Sequence, residues 1–435
     1  MDEPWLRELL ERATAGEPPI GPVARNSLRA GIRRRRRRRV QGGAACAAGV
    51  AVICAAVLAV SGASGTPAAT GTIPQTVYVL SANGTVTPIS TATNTPGEPI
   101  AAGPGPQFMA LTPNGQTLYV ADRNGTVTPI ATATNTPGKP VKVGQNAGQI
   151  LFTPDGQTAY VANNSGVTPI STATNTPEKP ITGTAPAGEG PRDMTITPDG
   201  ETLYVASGNT VIPVSTATNT PGKPILLGDQ VNSPSPSQII ITPDGSTLYV
   251  FRVNGVNDNG VITPVSTATN TPGQPIPVVA DPGFATAMTP DGNTLYVVAG
   301  NGQDVVPIST ATNTPGPPVN VPGRADDIAV TPDGQTAYVA SQCPTPKGPG
   351  SRLNCTGPPG EVTPISTATN TPGTPVQVSS GNLLNPIGVA ITPDGKTIYI
   401  ISGDGSTVTP ITTATNTPGQ PINVPGQAES IVITP

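Results

Sequence analysis

The chain has 435 residues and no histidine, which excludes Ser-His-Asp and Cys-His catalysis and histidine-ligated copper, zinc or haem. Its charge is unevenly divided: residues 1–39 carry a net charge of +6 and the remainder carries −10, which gives −4 overall. An acidic body has no electrostatic footprint for nucleic acid, so we expect no nucleic-acid partner.

The N-terminal segment, residues 1–40, predicts a basic and mostly irregular cytoplasmic region. Trp5, Leu6, Leu9 and Leu10 fall on one face at helical spacing, so a short amphipathic helix is expected. One or two turns have no core to bury against. That face is therefore idle, packed on the membrane surface, or a docking site for a cytosolic partner.

Seven arginines precede eighteen consecutive apolar or small residues, Gly43 to Val60. A helix of that length spans about 27 Å, close to the ~30 Å hydrocarbon core of a bilayer. We expect one transmembrane helix at 41–62 and a linker at 63–74. The alternative is a signal peptide cleaved near residue 62. The arginines that orient the segment, with the N-terminus in the cytoplasm, are Arg33, Arg34, Arg35, Arg36, Arg37, Arg38 and Arg39.

Eight repeats of about 45 residues fill the remainder, and each contains one tyrosine and one Ala-Thr-Asn-Thr-Pro segment. The tyrosines are Tyr78, Tyr119, Tyr160, Tyr204, Tyr249, Tyr296, Tyr338 and Tyr399. The asparagines are Asn94, Asn135, Asn175, Asn219, Asn270, Asn313, Asn370 and Asn416, spaced 41, 40, 44, 51, 43, 57 and 46 residues apart. A period of this length, built from short β-favouring runs and turn residues, indicates the blades of a propeller.

One repeat shows how a blade is built. A first strand ends at Val330, a Thr-Pro-Asp-Gly turn follows, and residues 336–340 return as a second strand. A third strand is expected at 362–366, then a turn at 367–373 and a fourth strand at 375–378. The predicted fold class is therefore all-β, a propeller of four-stranded antiparallel blades that spans residues 75–435.

The two ends of the repeat region complement each other. The first repeat begins with a second strand at Gln75, and the chain ends with a first strand at residues 431–435. Pairing these ends would complete a blade and close the ring, which removes the exposed sheet edges of an open array. This count gives eight blades; seven blades plus an irregular repeat is the alternative.

The phrase Thr-Pro-Asp-Gly-Gln-Thr-Ala-Tyr-Val-Ala-Asn-Asn at 153–164 resembles the bacterial YVTN β-propeller repeat family. The resemblance covers 75–435 and implies an extracytoplasmic propeller, often seven-bladed, in cell-surface proteins. The chain departs from that pattern in its eight repeats and in a proline within every third strand. These prolines are Pro88, Pro129, Pro169, Pro213, Pro264, Pro307, Pro364 and Pro410. Each removes a ladder hydrogen bond, so a bulge or a non-bonded ladder position is expected.

Cys343 and Cys355 lie in one Pro/Gly-rich insertion. A disulfide between them would contribute about 3 kcal/mol in the chain-entropy model. A zinc site is the rival interpretation, but two cysteines without histidine supply too few ligands. We expect a disulfide, which suits an extracytoplasmic location.

Aspartates recur in the Thr-Pro-Asp-Gly turns, and a residue present in nearly every blade is expected to serve turn geometry. A binding site should instead break the repeat. The departures that precede first strands, where propeller loops line one face, are Arg192, Asp193, Arg324, Asp326 and Asp327. These five are the candidate binding residues, with no catalytic or resident metal residue predicted and calcium as the one conceivable ion.

The sequence therefore predicts a single-pass membrane protein with an extracellular propeller that binds an unknown extracellular protein or glycan. No enzyme activity and no cofactor are expected. The rival prediction is a secreted hydrolase or lactonase that uses Asp and Arg residues on the loop face. Aromatic residues make up only 3% of the chain, which argues against a stacking platform for carbohydrate.

Overall fold

A computed structural model describes residues 75–185, 190–227, 236–253, 260–278, 285–299, 302–342, 360–378 and 388–435. These residues form eight antiparallel sheets and contain no α-helix. No helix in this part of the chain has the length and apolar character needed to cross a bilayer. The predicted segments 1–40, 41–62 and 63–74 lie outside the described residues, as do Cys343 and Cys355.

Each sheet is one blade, with strands in the order first, second, third, outer. The first strands, for blades 1 to 8, are Ala428–Ile433, Pro106–Leu111, Ile150–Phe152, Asp193–Ile196, Pro236–Ile241, Thr286–Met288, Arg324–Val330 and Gly388–Ile391. The second strands are Thr76–Ser81, Thr117–Asp122, Thr158–Asn163, Thr202–Ser207, Thr247–Val253, Thr294–Ala299, Thr336–Gln342 and Thr397–Ile401. The third strands are Thr85–Ser90, Thr126–Ala131, Gly166–Ser171, Thr210–Ser215, Gly260–Ser266, Asp304–Ser309, Glu361–Ser366 and Thr407–Thr412.

The outer strand consists of two short pieces. In blade 7 the second piece, 376–377, lies within the predicted fourth strand at 375–378, whereas the first piece, 371–372, lies within the segment 367–373 that was predicted to be only a turn. The first pieces are Thr95–Pro96, Thr136–Pro137, Thr176–Pro177, Thr220–Pro221, Thr271–Pro272, Thr314–Pro315, Thr371–Pro372 and Thr417–Pro418. The second pieces are Ile100–Ala101, Val141–Lys142, Ile225–Leu226, Ile276–Val278, Val319–Asn320, Val376–Gln377 and Ile422–Asn423, with a single bridge at Ile181 in blade 3.

The third-strand prolines explain this break. The carbonyl of Pro88 accepts a hydrogen bond from Gly97 N of the outer strand at 2.7 Å. The N and the C=O of one strand residue point to the same side, so the missing N–H also faces the outer strand. Pro88 pairs with Tyr78 on the other side without needing that donor. The prolines thus occupy the non-bonded ladder position towards the second strand, and no bulge is needed there.

The first and last strands of the described chain close the ring, as predicted. Residues 77–80 pair antiparallel with residues 433–430 in blade 1. Thr434 N also donates to Thr76 O at 3.0 Å. The ring therefore has eight blades, and the seven-bladed alternative is set aside.

Every tyrosine joins its blade to the next one. Tyr78 donates its hydroxyl to Asn135 Oδ1 at 2.7 Å, and Tyr399 of blade 8 donates to Asn94 of blade 1 at 2.7 Å. The six remaining tyrosines make the same bond. The tyrosines are at most 1% exposed, and burial raises the pKa of Tyr78 to about 12, so the phenol remains a donor.

Strand direction alternates, so the propeller has two distinct ends. We call the connection face the end where first strands begin and second strands end. The turn face is the opposite end, formed by the Thr-Pro-Asp-Gly turns and the Thr-Ala-Thr-Asn-Thr-Pro turns. At the turn face, a methyl group built on Gly200 would lie 2.9 Å from Pro154 Cδ of the previous blade, so these turns also pack blade against blade.

Candidate functional site at the connection face

All five sequence-predicted binding residues lie at the start of a first strand, on the connection face. Arg192 and Asp193 belong to blade 4; Arg324, Asp326 and Asp327 belong to blade 7. These blades are not neighbours, and no hydrogen bond or ion pair in the described residues joins the two groups. The structure therefore presents two separate charged clusters and no single convergent site.

Asp193 bridges three blades with its carboxylate. Oδ1 accepts from Gln149 Nε2 of blade 3 at 2.7 Å and from Met194 N at 2.9 Å. Oδ2 accepts from Ile239 N of blade 5 at 2.7 Å. The residue is 8% exposed. All of these bonds point into the protein, so Asp193 fixes the inner strands against one another.

Asp327 occupies the equivalent position in blade 7, four residues before the turn threonine. Its Oδ1 accepts from Ile328 N at 2.9 Å, and its Oδ2 accepts from Val389 N of blade 8 at 2.9 Å. Like Asp193, it accepts the N–H of the residue that follows it and an N–H of the next blade, so it links neighbouring blades in the same way. Two of the five candidate binding residues, Asp193 and Asp327, thus use their carboxylates for hydrogen bonds inside the fold.

Burial is the main cause of the unusual titration of these two groups. It raises the pKa of Asp193 to about 7, against the lowering effect of its hydrogen bonds to Ile239, Gln149 and Met194. It raises the pKa of Asp327 to about 7 as well, with a smaller contribution from the nearby charge of Asp326. A raised pKa marks many functional carboxylates, but here it comes with acceptor bonds to backbone.

Of the other three residues, Arg192 and Arg324 are exposed and Asp326 is partly buried. Arg324 Nε lies 3.8 Å from Asp326 Oδ1, with the arginine side chain 65% exposed and the aspartate 16% exposed. Asp326 is the extra residue of a β-bulge between Ala325 and Asp327, and such bulges turn a side chain away from the regular alternation.

Sequence reasoning missed a third charged cluster, at the junction of blades 1 and 2. With its amide oriented so that Oε1 faces the guanidinium, Gln107 accepts from Arg123 Nε at 2.6 Å. Glu429 lies near enough for the charge of Arg123 to lower its pKa, although burial raises that pKa overall. Gln107 and Glu429 are bulge residues, as is Asp326. The sequence contained a signal for these bulge positions, because Gln107, Asp326 and Glu429 each stand five residues before a turn threonine.

Arg252, another departure from the repeat, is buried at the end of the second strand of blade 5. It is 6% exposed, and its Nη2 donates to Thr263 Oγ1 at 3.0 Å. Burial lowers the pKa of the guanidinium. Within the described residues no carboxylate lies within ion-pair distance of it.

A shallow cavity of about 450 Å³ lies on the connection face between blades 3 and 4. A second, of about 490 Å³, lies at the junction of blades 8 and 1. Neither is lined by a charged side chain. In the described ranges, no three acidic or cysteine side chains come together as a metal site would require. The cavity on the connection face is lined by Gly183, Ala185, Ser207, Gly208, Asn209, Thr210 and Ile212.

The turn aspartates have a purely local role in this geometry. Asp155 Oδ1 accepts from Thr153 Oγ1 and from Gln157 N at 3.0 Å. The hydrogen bond from Thr153 is the main cause that lowers the pKa of Asp155, and Asp199, Asp244, Asp291 and Asp333 behave in the same way. These carboxylates stabilise turns and lie on the face away from the charged clusters.

Comparison with known proteins supports the fold. A family model described as lactonase, 7-bladed β-propeller, matches residues 121–241, a little over a quarter of the chain. That range contains Arg192 and Asp193. No curated protein matches the chain.

Solved structures resemble the chain over most of its length. Dihydro-heme d1 dehydrogenase NirN, in complex with DHE, matches with a TM-score of 0.68 and 14% identity, over 86% of this chain and 78% of that one. Hydrazine synthase of Kuenenia stuttgartiensis matches with a TM-score of 0.54 and 21% identity, over 72% and 96%. A functionally unknown protein of Desulfotomaculum acetoxidans gives 0.50 and 15%, over 82% and 98%. At such identities the similarity shows the fold alone.

Proposed function

We propose that the chain is a membrane-anchored, extracytoplasmic propeller that binds another envelope protein through its connection face without catalysing a reaction. The observation that carries the proposal is the use of Asp193 and Asp327. Both carboxylates, that of Asp193 buried and that of Asp327 partly buried, accept a backbone N–H group of the following blade, so neither is left to act on a substrate. The exposed charge at this face includes Arg192 and Arg324, together with Arg123 of the third cluster.

The partner is expected to present acidic groups to these arginines. Guanidinium groups form bidentate bonds with carboxylates, and exposed charges of this kind steer association and set specificity. A protein partner is favoured over a glycan because the chain is poor in aromatic residues. The topology rests on the arginine run and apolar segment ahead of the propeller.

Lactone hydrolysis is the second candidate, because the matched family is named for it and the match includes blade 4. Asp326 is the acidic group best placed for such a role, since it lies on a bulge beside Arg324. If the full-length protein hydrolysed lactones, and Asp326→Ala abolished that activity while the protein remained folded, the binding proposal would be wrong.

The binding proposal is tested by cross-linking on intact cells. Cells that make the wild-type chain are treated with a membrane-impermeant cross-linker, and cross-linked proteins are quantified by mass spectrometry. We expect Arg192→Glu with Arg324→Glu to reduce one specific cross-linked protein at least tenfold. The control Lys396→Glu makes the same charge reversal, from +1 to −1, at one position on the turn face and should leave the yield unchanged. Equal yields from all three chains would contradict the role of the connection face.

A further inference from the structure

The turn face repeats one exposed segment without change. The sequence Thr-Ala-Thr-Asn-Thr-Pro is identical at 91–96, 132–137, 172–177, 216–221, 267–272, 310–315, 367–372 and 413–418. Two residues later the chain varies freely at an equally exposed position. That position holds Glu98, Lys139, Lys179, Lys223, Gln274, Pro317, Thr374 and Gln420. Simple copying of whole repeats would have kept both, so the identity of the segment needs its own explanation.

The fold explains the first threonine and the asparagine. Thr132 donates its hydroxyl to Gly115 O at 2.7 Å, which ties this turn to the Thr-Pro-Asp-Gly turn of the same blade. In blades 3 to 8 the first threonine makes the same bond to the turn glycine, and in blade 1 Thr91 donates to Gln75 O at 2.8 Å. Asn135 has φ of 53° and accepts from Tyr78 of the previous blade. These two residues are fixed by structure.

The fold does not explain the second and third threonines. Thr93 and Thr95 are exposed, and their hydroxyls bond to each other at 2.7 Å. The same mutual bond occurs in blades 3 to 7. In blades 2 and 8 the third threonine donates to the carbonyl of the second. Exposed hydroxyls that bond only within their own turn contribute little to stability.

We propose that this threonine pair is the acceptor site for O-linked glycosylation, repeated once per blade around the turn face. Both threonines are exposed, alanine precedes the second, proline follows the third, and no charged residue stands in the segment. Such a segment suits a glycosyltransferase that must reach a hydroxyl. The donor is a sugar activated as a lipid-linked or nucleotide phosphate ester. The threonine Oγ1 forms a bond to the anomeric carbon, the bond from that carbon to the phosphate oxygen breaks, and the hydroxyl proton passes to a base of the transferase.

The inference rests on the proposed extracytoplasmic location, where the turn face would meet envelope glycosyltransferases. It assigns the turn face to modification and leaves the connection face for partner binding. Eight uncharged, hydrated sugars would also cover the outer-strand edges, where unpaired strands otherwise invite association with other sheets.

The test is peptide mapping by mass spectrometry of the full-length chain, recovered from the envelope of the cells that make it. We expect mass increments of whole sugar residues on the second or third threonine of the segment, and none on the first. Thr134→Ala with Thr136→Ala should remove the increment from the blade 2 peptide. Thr132→Val, in the same peptide, should keep it. Unmodified peptides, phosphate increments, or increments on the first threonine would overturn the inference.

A second measurement separates this inference from the location on which it rests. Protease added to intact cells digests the propeller only if it lies outside the membrane. A digested but unmodified propeller would overturn glycosylation and leave the location standing. A propeller that is protected and unmodified would overturn both.

Discussion

The tyrosine–asparagine bonds show how single side chains bind the blades together. Tyr160 donates to Asn219 Oδ1 at 2.9 Å, and burial raises the pKa of its phenol to about 12. Asn219 adopts φ of 52°, a left-handed conformation that asparagine and glycine accept more readily than other residues. One asparagine thus shapes its turn and receives the neighbouring blade.

Loss of one such bond should be measurable. We expect Tyr160→Phe to lower the free energy of unfolding by about 1 kcal/mol, because the amide oxygen loses its partner but is partly open to water. Asn219→Gly keeps the backbone conformation and should have a similar effect. A double-mutant cycle from urea unfolding checks the coupling. Strictly additive effects of the two changes would show that the bond contributes nothing.

The carboxylates of Asp193 and Asp327 make stability depend on pH. Because burial raises the pKa of Asp193 and Asp327 to about 7, the folded state binds more protons than the unfolded state between about pH 4 and 7. Stability should therefore fall as pH rises through that window. Asp199 has a lowered pKa, and turn aspartates like it favour the opposite trend below about pH 4.

We expect maximum stability near pH 4 to 5, with a loss of at least about 1 kcal/mol for each of these two carboxylates by pH 7. Asp193→Asn should reduce this slope and lower stability overall, because donors face both carboxylate oxygens and the amide NH2 group must point at one set of them. Asp199→Asn is the matched control and should leave the slope between pH 4.5 and 7 unchanged. Urea unfolding at pH 4.5 and pH 7 measures the slope. A wild-type protein that is more stable at pH 7 than at pH 4.5 would contradict this prediction.

At the level of elements, the sequence predicted the strands and turns whose formation depends on neighbouring residues in the chain. Second and third strands follow from runs such as Thr-Leu-Tyr-Val and Val-Thr-Pro-Ile, and the turns follow from Thr-Pro-Asp-Gly. The break in the outer strand depends on where Pro88 meets Gly97, which the sequence alone does not place. The role of Asn135 was also missed, because its partner Tyr78 lies 57 residues away in another blade.

The candidate site was predictable in place but not in role. The break in the repeat located Asp193 and Asp327 on the connection face. Their hydrogen bonds to Ile239 N and Val389 N depend on how neighbouring first strands are offset, which is a property of the assembled ring. Sequence departures identified residues that differ between blades, but not whether the difference serves binding or packing.

Gly125 and Gly138 differ in whether the backbone conformation and the surrounding space require glycine. Gly125 has φ of 85°, and a methyl group on it would lie 2.3 Å from Gly144 O. Gly138 would bring a methyl group only to 3.2 Å from Pro129 Cγ, and blade 3 places Glu178 at the equivalent position. We expect Gly125→Ala to cost more than about 2 kcal/mol and Gly138→Ala less than about 1 kcal/mol in unfolding free energy. Equal losses in urea unfolding would contradict this reading of the turns.

At the scale of the whole molecule, closure distinguishes a ring from an open row of blades. Tyr399 donates to Asn94 across the junction, Pro435 packs on Gly115 of blade 2, and strand 428–433 completes blade 1. Each bond is the same as those at the other junctions. The ring therefore has no special seam except the strand contributed by the chain terminus.

Disulfide formation across that seam gives a direct test of the closed eight-bladed ring. Val77 and Ile433 form a non-hydrogen-bonded antiparallel pair, the closer kind, whose spacing suits a disulfide. We predict that Val77→Cys with Ile433→Cys gives a cross-linked peptide pair, detected by mass spectrometry of the oxidised full-length chain. Val77→Cys with Thr434→Cys shifts the register by one residue and should not cross-link. Absence of the first cross-link, or efficient formation of the second, would contradict the closed eight-bladed ring.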